Sequence, residues 1–207
     1  FKQNQLEQVR EHLLKSFRFV FFLSFPMMFG LMAISCNLVP WFFGSGYDKV
    51  VPNMMVISPI LVIIALSNIM GTQYLLPIGR QKEYTLSVVV GCVVNFSMNL
   101  LLIPHLLSIG AAIATVIAES SVTGVQIYCI RKDFDFGHIM KENIHYVISA
   151  FFMFVLTSFL AKFLRPSIIS TFLCVVVGAS IYLGILAIMK DDMFFQGRKM
   201  LGSRFIK

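Results

Sequence analysis

An all-α polytopic membrane bundle with six transmembrane helices is the fold class this sequence predicts, and three observations predict it. Of 207 residues, 57% are hydrophobic and 13% are charged, where a soluble domain carries roughly one quarter charged residues. Twenty-one phenylalanines and twelve methionines stand against ten acids, more apolar surface than one soluble core can hide, and the mean hydropathy is +0.82. Several apolar runs reach about 20 residues, and at about 1.5 Å per residue such a run crosses a hydrocarbon core.

The elements follow in chain order. Residues 3–18, QNQLEQVREHLLKSFR, are amphipathic: Leu6, Val9, Leu13 and Leu14 share a helical face, and Glu11 stands four positions before Lys15. The pattern predicts an interfacial cytoplasmic helix over 1–18 that lies on the membrane and feeds the first span. That span is predicted over 19–39, with Pro26 and Gly30 inside it, and the second over 54–76, ended by the Pro77–Gly79 break. The third runs over 84–103, closed by Pro104, and the fourth over 109–130. A cytoplasmic loop is predicted over 131–143. The fifth span covers 144–164, and after the short Arg165–Pro166 turn the sixth continues to Met189. Proline and glycine inside spans are tolerated where neighbouring helices satisfy the freed backbone groups. The basic tail, 190–207, mixes its charges with Met193, Phe194, Phe195, Leu201 and Phe205, a composition suited to anionic lipid. Phe1 in place of an initiating Met predicts that this is the C-terminal part of a longer protein.

Basic residues orient the spans. The N-terminal segment, the loop with Arg80 and Lys82, the loop with Arg131, Lys132 and Lys141, and the tail together carry fourteen of the seventeen lysines and arginines. The opposite side carries Lys49, Lys162 and Arg165. Both termini are therefore expected in the cytoplasm, and Ser45 is expected outside. The net charge of +7 belongs to topology and lipid attraction, not to nucleic-acid binding.

The motifs of soluble catalysis are absent: there is no HExxH, GxSxG, Walker loop or GxGxxG, and His12, His105, His138 and His145 have no metal-ligand spacing. The four cysteines, Cys36, Cys92, Cys129 and Cys174, fall in apolar runs without a CxxC pair and read as small packing residues. Asn95-Phe96-Ser97 matches a glycosylation sequon but lies inside a span. The chain is read as no enzyme, with no cofactor and no metal.

Polar groups inside the spans carry what function remains legible. Asn68, Thr72 and Gln73 lie on the second span, Asn95 and Asn99 one turn apart on the third, and Thr115, Glu119, Thr123 and Gln126 in a stripe on the fourth. Such groups face a bundle interior or a wet cavity, where they either line a pathway or join helices by hydrogen bonds. Glu119 is the lone acid inside any predicted span. It is expected to act as a coupling residue or as a structural hydrogen-bonder. About five residues, Pro104 to Ser108, join the third and fourth spans, which makes them antiparallel neighbours. Equal depth then pairs Asn99 with Thr115, Asn95 with Glu119 and Gly91 with Thr123, and centres the hairpin on residue 107. Asn95 and the nearby Thr and Ser hydroxyls are expected to hydrogen-bond the Glu119 carboxyl, with Gly91 letting the backbones approach.

The Phe43–Tyr47 turn, TQYLLPIGRQKEYT at 72–85, NLLLIP at 99–104 and GAAIATVIAE at 110–119 together resemble the C-terminal half of bacterial oligosaccharide flippases. These transporters of O-antigen and capsule repeat units belong to the superfamily that also holds multidrug extruders and lipid II flippases. The resemblance covers roughly residues 10–130. It implies a two-lobed alternating-access transporter in the bacterial cytoplasmic membrane, with 19–130 as the last four helices of its second lobe and 144–189 as an extra C-terminal pair. The implied cargo is a polyprenyl-pyrophosphate-linked oligosaccharide, with a polysaccharide polymerase as a further partner. Arg18, Arg80 and Lys82, at the cytoplasmic ends of spans, are candidate pyrophosphate contacts, or plain positive-inside anchors. Two alternatives stand beside the flippase: a cation-coupled multidrug-type exporter of the same fold, and a non-transporting membrane scaffold of a polysaccharide synthesis complex.

Overall fold

The computed structural model describes residues 2–44 and 46–195, with side chains from residue 11 onward. Ser45, the side chains of Lys2, Leu6, Val9 and Arg10, and the tail from residue 196 with Leu201 and Phe205 lie outside the described residues. All regular structure among the described residues is helical: α1 (Lys2–Phe42), α2 (Val50–Ile57), α3 (Ile60–Asn68), a π-helical turn (Ile69–Leu75), α4 (Gln81–Ile130), α5 (Phe136–Phe163) and α6 (Ile168–Ile188). Five of the helical stretches are long and apolar enough to cross a membrane. The 50-residue α4 leaves helical geometry at Leu107 (φ 52°, ψ −126°) and folds back on itself, so it supplies two legs, and the described residues hold six span-like legs.

Two predicted boundaries are not there. The interfacial segment and the first span are one continuous 41-residue helix, about 60 Å long at about 1.5 Å per residue, twice a hydrocarbon core. No glycine or proline occurs before Pro26, and one buried stripe, Leu13, Phe17, Phe21, Ser24 and Met28, runs through the expected junction. Pro26 does not end the helix either. Its missing N–H deprives the Phe22 carbonyl of its helical donor, and the Tyr182 hydroxyl of α6 donates to that carbonyl at 2.7 Å. The loop predicted over 131–143 is also shorter. Helix α5 begins at Phe136, because Asp135 caps it by accepting the His138 N–H at 3.1 Å.

The second span begins earlier than predicted and is broken twice. At Ser58–Pro59 the proline interrupts the helical ladder between α2 and α3, and the Ser58 hydroxyl turns back onto the Met54 carbonyl. The π turn follows, closed by the wide Leu76 N–H to Gly71 carbonyl bond at 3.1 Å. The third span passes through Pro104, near enough to the end at Leu107 that its lost hydrogen bond falls in the last turn. Past Leu164, Ser167 and Ser170 form a reciprocal capping box that starts α6.

The helices pack in a row. Helix α1 lies against α5, α6 and α3, while α2 and α3 lie against α4. One end of the row is an aromatic core in which Phe17 meets Phe134 and Phe136 edge-on, both with ring centroids 6.2 Å apart, and Tyr74 meets Phe134 at 4.9 Å. Tyr146, Leu186 and Phe194 join the same cluster. The N-terminal part of α1, the loop before α4, the turn after it and the segment after α6 therefore share one end, as the charge pattern predicts. At the other end Trp41 Nε1 donates to Thr171 Oγ1 at 2.8 Å, and Asn53 Nδ2 donates to Ser108 Oγ at 2.9 Å.

Candidate functional site: a polar groove

The two legs of α4 meet through small residues. A β-carbon added at Gly91 would run into Val122 Cγ2, and one at Gly110 would lie 2.5 Å from the Leu102 carbonyl oxygen, so the legs approach closely at both glycines. Ser87 and Gln126 hold the register nearer the aromatic end, with Gln126 Nε2 donating to Ser87 Oγ at 3.3 Å. Gly91 against Val122, rather than Thr123, sets the legs one residue from the predicted register. Gly71, in the π turn, is pressed on the same Gln126. A β-carbon there would stand 2.8 to 2.9 Å from the Tyr84 ring and from Gln126 Nε2.

Between these elements lies a groove of about 530 Å³, within the range of small-molecule sites. Helix α3 and the π turn contribute Ser67, Asn68 and Thr72. The first leg of α4 contributes Tyr84, Asn95, Phe96 and Asn99, and the second contributes Glu119 and Gln126. Polar residues from three predicted spans thus converge on one recess, halfway along both legs of α4. Gln126 is fully buried, and its Oε1 has no hydrogen-bond partner among the described residues.

The expected hydrogen bonds to Glu119 are not formed. Asn95 and Glu119 line the same groove, but Asn95 Oδ1 accepts from Asn99 Nδ2 at 2.9 Å. The Thr115, Ser120 and Ser121 hydroxyls donate to the carbonyls of Ala111, Val116 and Ile117, one turn back in their own helix, at 2.7 to 2.8 Å. A hydroxyl on a helix reaches that carbonyl without any tertiary requirement, so it is already engaged when the carboxylate needs a donor. Thr123 is buried and donates across to the Ile63 carbonyl of α3 at 3.3 Å. The stripe therefore divides: Glu119 and Gln126 face the groove, Thr115 serves its own helix, and Thr123 joins two helices. Glu119 itself is half-buried.

The basic candidates lie elsewhere. Arg80 donates to Glu83 at 2.9 Å, to Asp133 Oδ2 at 2.8 Å and to the Cys129 carbonyl at 2.9 Å, so it ties the two ends of α4 together. Lys82 is exposed at the start of the same leg. Arg18 belongs to a cluster that residue patterning does not single out. Its guanidinium reaches the Tyr146 hydroxyl at 3.2 Å, Asp191 at 3.1 Å and Asp192 at 3.4 Å. Asp191 also accepts from Tyr146 at 2.8 Å and from the Phe194 N–H at 3.1 Å, and His145 Nε2 lies 3.1 Å away. A signal for this cluster is present in the sequence: Asp191 and Asp192 interrupt an otherwise basic tail directly after the last span.

A second groove, of about 480 Å³, is apolar and lies between α1, α5 and α6, lined among others by Leu23, Met27, Ile34, Met153 and Val175.

Residues 1–178 match the family model "Lipid II flippase MurJ". A relative from Escherichia coli (strain K12), named "Putative O-antigen transporter", is 31% identical over 90 residues, which is 44% of this chain and 22% of that protein. An uncharacterized membrane protein of Methanocaldococcus jannaschii is 28% identical over 141 residues, 68% of this chain and 28% of that protein. In fold, the chain is similar to a lipid II flippase MurJ in an inward closed conformation, with a TM-score of 0.78 and 17% identity, over 92% of this chain and 41% of that one. The chain spans less than a third of the length of these curated relatives.

Proposed function

We propose, from the premise that this chain belongs to the lipid II flippase MurJ family, that it forms part of a transporter that moves a lipid-linked oligosaccharide across the bacterial cytoplasmic membrane for surface polysaccharide synthesis. The observation that carries this reading is the groove: three spans bring amides, hydroxyls and one carboxylate to a single recess halfway along the legs of α4. Polar groups at that depth are costly unless they face water, one another or a polar cargo. A packing-only role would leave them paired, whereas Gln126 Oε1 has no partner among the described residues and Glu119 accepts none of the nearby hydroxyls.

In this reading the sugars pass along the groove as the lobes of the full transporter rock about the site. The apolar groove beside α5 and α6 has the chemistry to keep a polyprenyl chain in contact with hydrocarbon. Glu119 is the coupling carboxylate, whose proton or counter-ion accompanies the swing. Arg18 and Arg80 hold the cytoplasmic ends of the helices together, and the pyrophosphate meets the protein outside the groove. Both termini of this chain face the cytoplasm.

Export of surface polysaccharide by cells that depend on the full-length protein tests the proposal. Gln126→Leu and Asn95→Leu, with surface amounts of protein matched, should each lower export at least about tenfold, as expected where a site built for polar groups loses a partner. Glu119→Gln should remove the response of export to external pH. Export equal to wild type in all three variants would make the groove a packing feature and remove the proposal.

A further inference from the structure

The groove has a charge character of its own. Among its described lining residues there is no lysine, arginine or histidine, and its charge is the Glu119 carboxylate. The remaining polar groups are mainly amides and hydroxyls, among them Ser67, Asn68, Thr72, Asn95 and Asn99. Amides both donate and accept, which suits a ligand dense in hydroxyls. Asn99 Nδ2 donates to Asn95 Oδ1 and to the Asn95 carbonyl, both at 2.9 Å, which leaves Asn95 Nδ2 as a donor and Asn99 Oδ1 as an acceptor for a ligand. Tyr84 and Phe96 add aromatic side chains to the lining, and aromatic rings pack against the C–H side of sugars. An anion gains nothing from such a lining. Its own charge would stand against Glu119 in a partly dehydrated recess, where like charges cost most.

Resting on the flippase reading above, we infer that this groove is a sugar subsite that takes uncharged or amine-bearing sugar units and rejects acidic ones. Glu119 is the selecting residue, and the anionic pyrophosphate of the cargo is held by another part of the transporter. The division of labour follows from composition: a pyrophosphate needs cations or clustered N–H donors, and this lining supplies amides and a carboxylate.

Cys92 lines the groove and is exposed, so it reports occupancy at the site itself. The experiment follows alkylation of Cys92 by N-ethylmaleimide, read by peptide mass spectrometry, on the purified full-length transporter near neutral pH. The probes are chitotriose, its fully deacetylated amine form, tri-galacturonic acid and inorganic pyrophosphate. Chitotriose and the amine form should protect Cys92, while tri-galacturonic acid should need about tenfold or more higher concentration and pyrophosphate should not protect. Glu119→Gln should collapse the ratio between the acidic and amine-bearing sugars, and Asn95→Asp, which adds a second carboxylate, should widen it. Equal protection by acidic and neutral sugars in the wild type, a ratio unmoved by both variants, or protection by no sugar at all would overturn the inference. The flippase reading fails on a different result, export that is indifferent to the groove substitutions, so the two can fall separately.

Discussion

Asp191 receives more donors than any other side chain described above, and it sits just beyond the last span with its side chain 2% exposed. Burial alone would push its carboxyl up. The Tyr146 hydroxyl, the Phe194 N–H, Arg18 and His145 outweigh that and hold it below the ordinary carboxylate range. A folded value below the unfolded one, near 3.9, means that the unfolded chain takes up more protons in the window between them. The stabilisation is therefore complete above about pH 4 and is lost as pH falls through the folded value. Asp191→Asn leaves several half-buried donors short of an acceptor and should destabilise the protein by about 1–3 kcal/mol at neutral pH. In detergent its thermal midpoint should lie below wild type at neutral pH, with the gap closing as the pH drops below about 4. A constant gap over that range would mean that the carboxylate charge does not matter. The same cluster explains why Arg18 reads ambiguously in sequence: a basic residue at a span end looks alike whether it meets a ligand, lipid or a carboxylate 173 positions away.

At the scale of the element, backbone groups freed inside a span decide which side chains are irreplaceable. The Phe22 carbonyl, freed by Pro26, takes the Tyr182 hydroxyl. Tyr182→Phe keeps the ring contact with Phe22 and removes only the donor, so it should cost about 1 kcal/mol. Restoring the helical donor with Pro26→Ala should recover most of that loss, and equal losses in the single and double variants would refute the link. Gly91 works through close approach. Gly91→Ala drives a methyl group into Val122 and should cost about 1–3 kcal/mol. Val122→Ala should rescue it, leaving the double variant above the sum of the singles, because the two positions share one contact. The fold at Leu107 and the contacts of Gly91 and Gly110 make α4 a hairpin rather than a 50-residue rod.

At the scale of the whole molecule, α1 holds the pair α5 and α6 on one side, and α2 and α3, with α4 beyond them, on the other. The polar groove lies among α3, the π turn and α4, while the apolar groove lies beside α5 and α6. Packing separates a polar surface from an apolar one within one chain. The ends follow the basic residues, and the orientation proposed from them is testable with a membrane-impermeant thiol reagent. Lys49→Cys, exposed after the turn that ends α1, should label in intact cells. Lys82→Cys should label only after permeabilisation, and labelling of both from outside would reverse or break the topology.

The sequence by itself determined the solvent, and the solvent determined most of the fold. A chain with this hydropathy must form helices that satisfy their own backbone inside lipid, and its basic residues gather on the loops of one end. The hairpin centre at residue 107 was also legible, because a short connection forces neighbouring antiparallel legs and leaves little freedom of register. The convergence of Asn95, Asn99, Glu119 and Gln126 could be read from helical spacing, but not their bonds. Whether Thr115 or Thr123 meets Glu119, its own helix or the Ile63 carbonyl depends on a rotation of a few tens of degrees about the helix axis, and periodicity does not resolve that. Tertiary structure alone decided that Tyr182 completes Pro26, that Gly71 is a point of contact, and that Arg18 closes on Asp191. Each of these joins residues far apart in the chain. Their partnership is set by which helices pack side by side, and composition and spacing say nothing about that order.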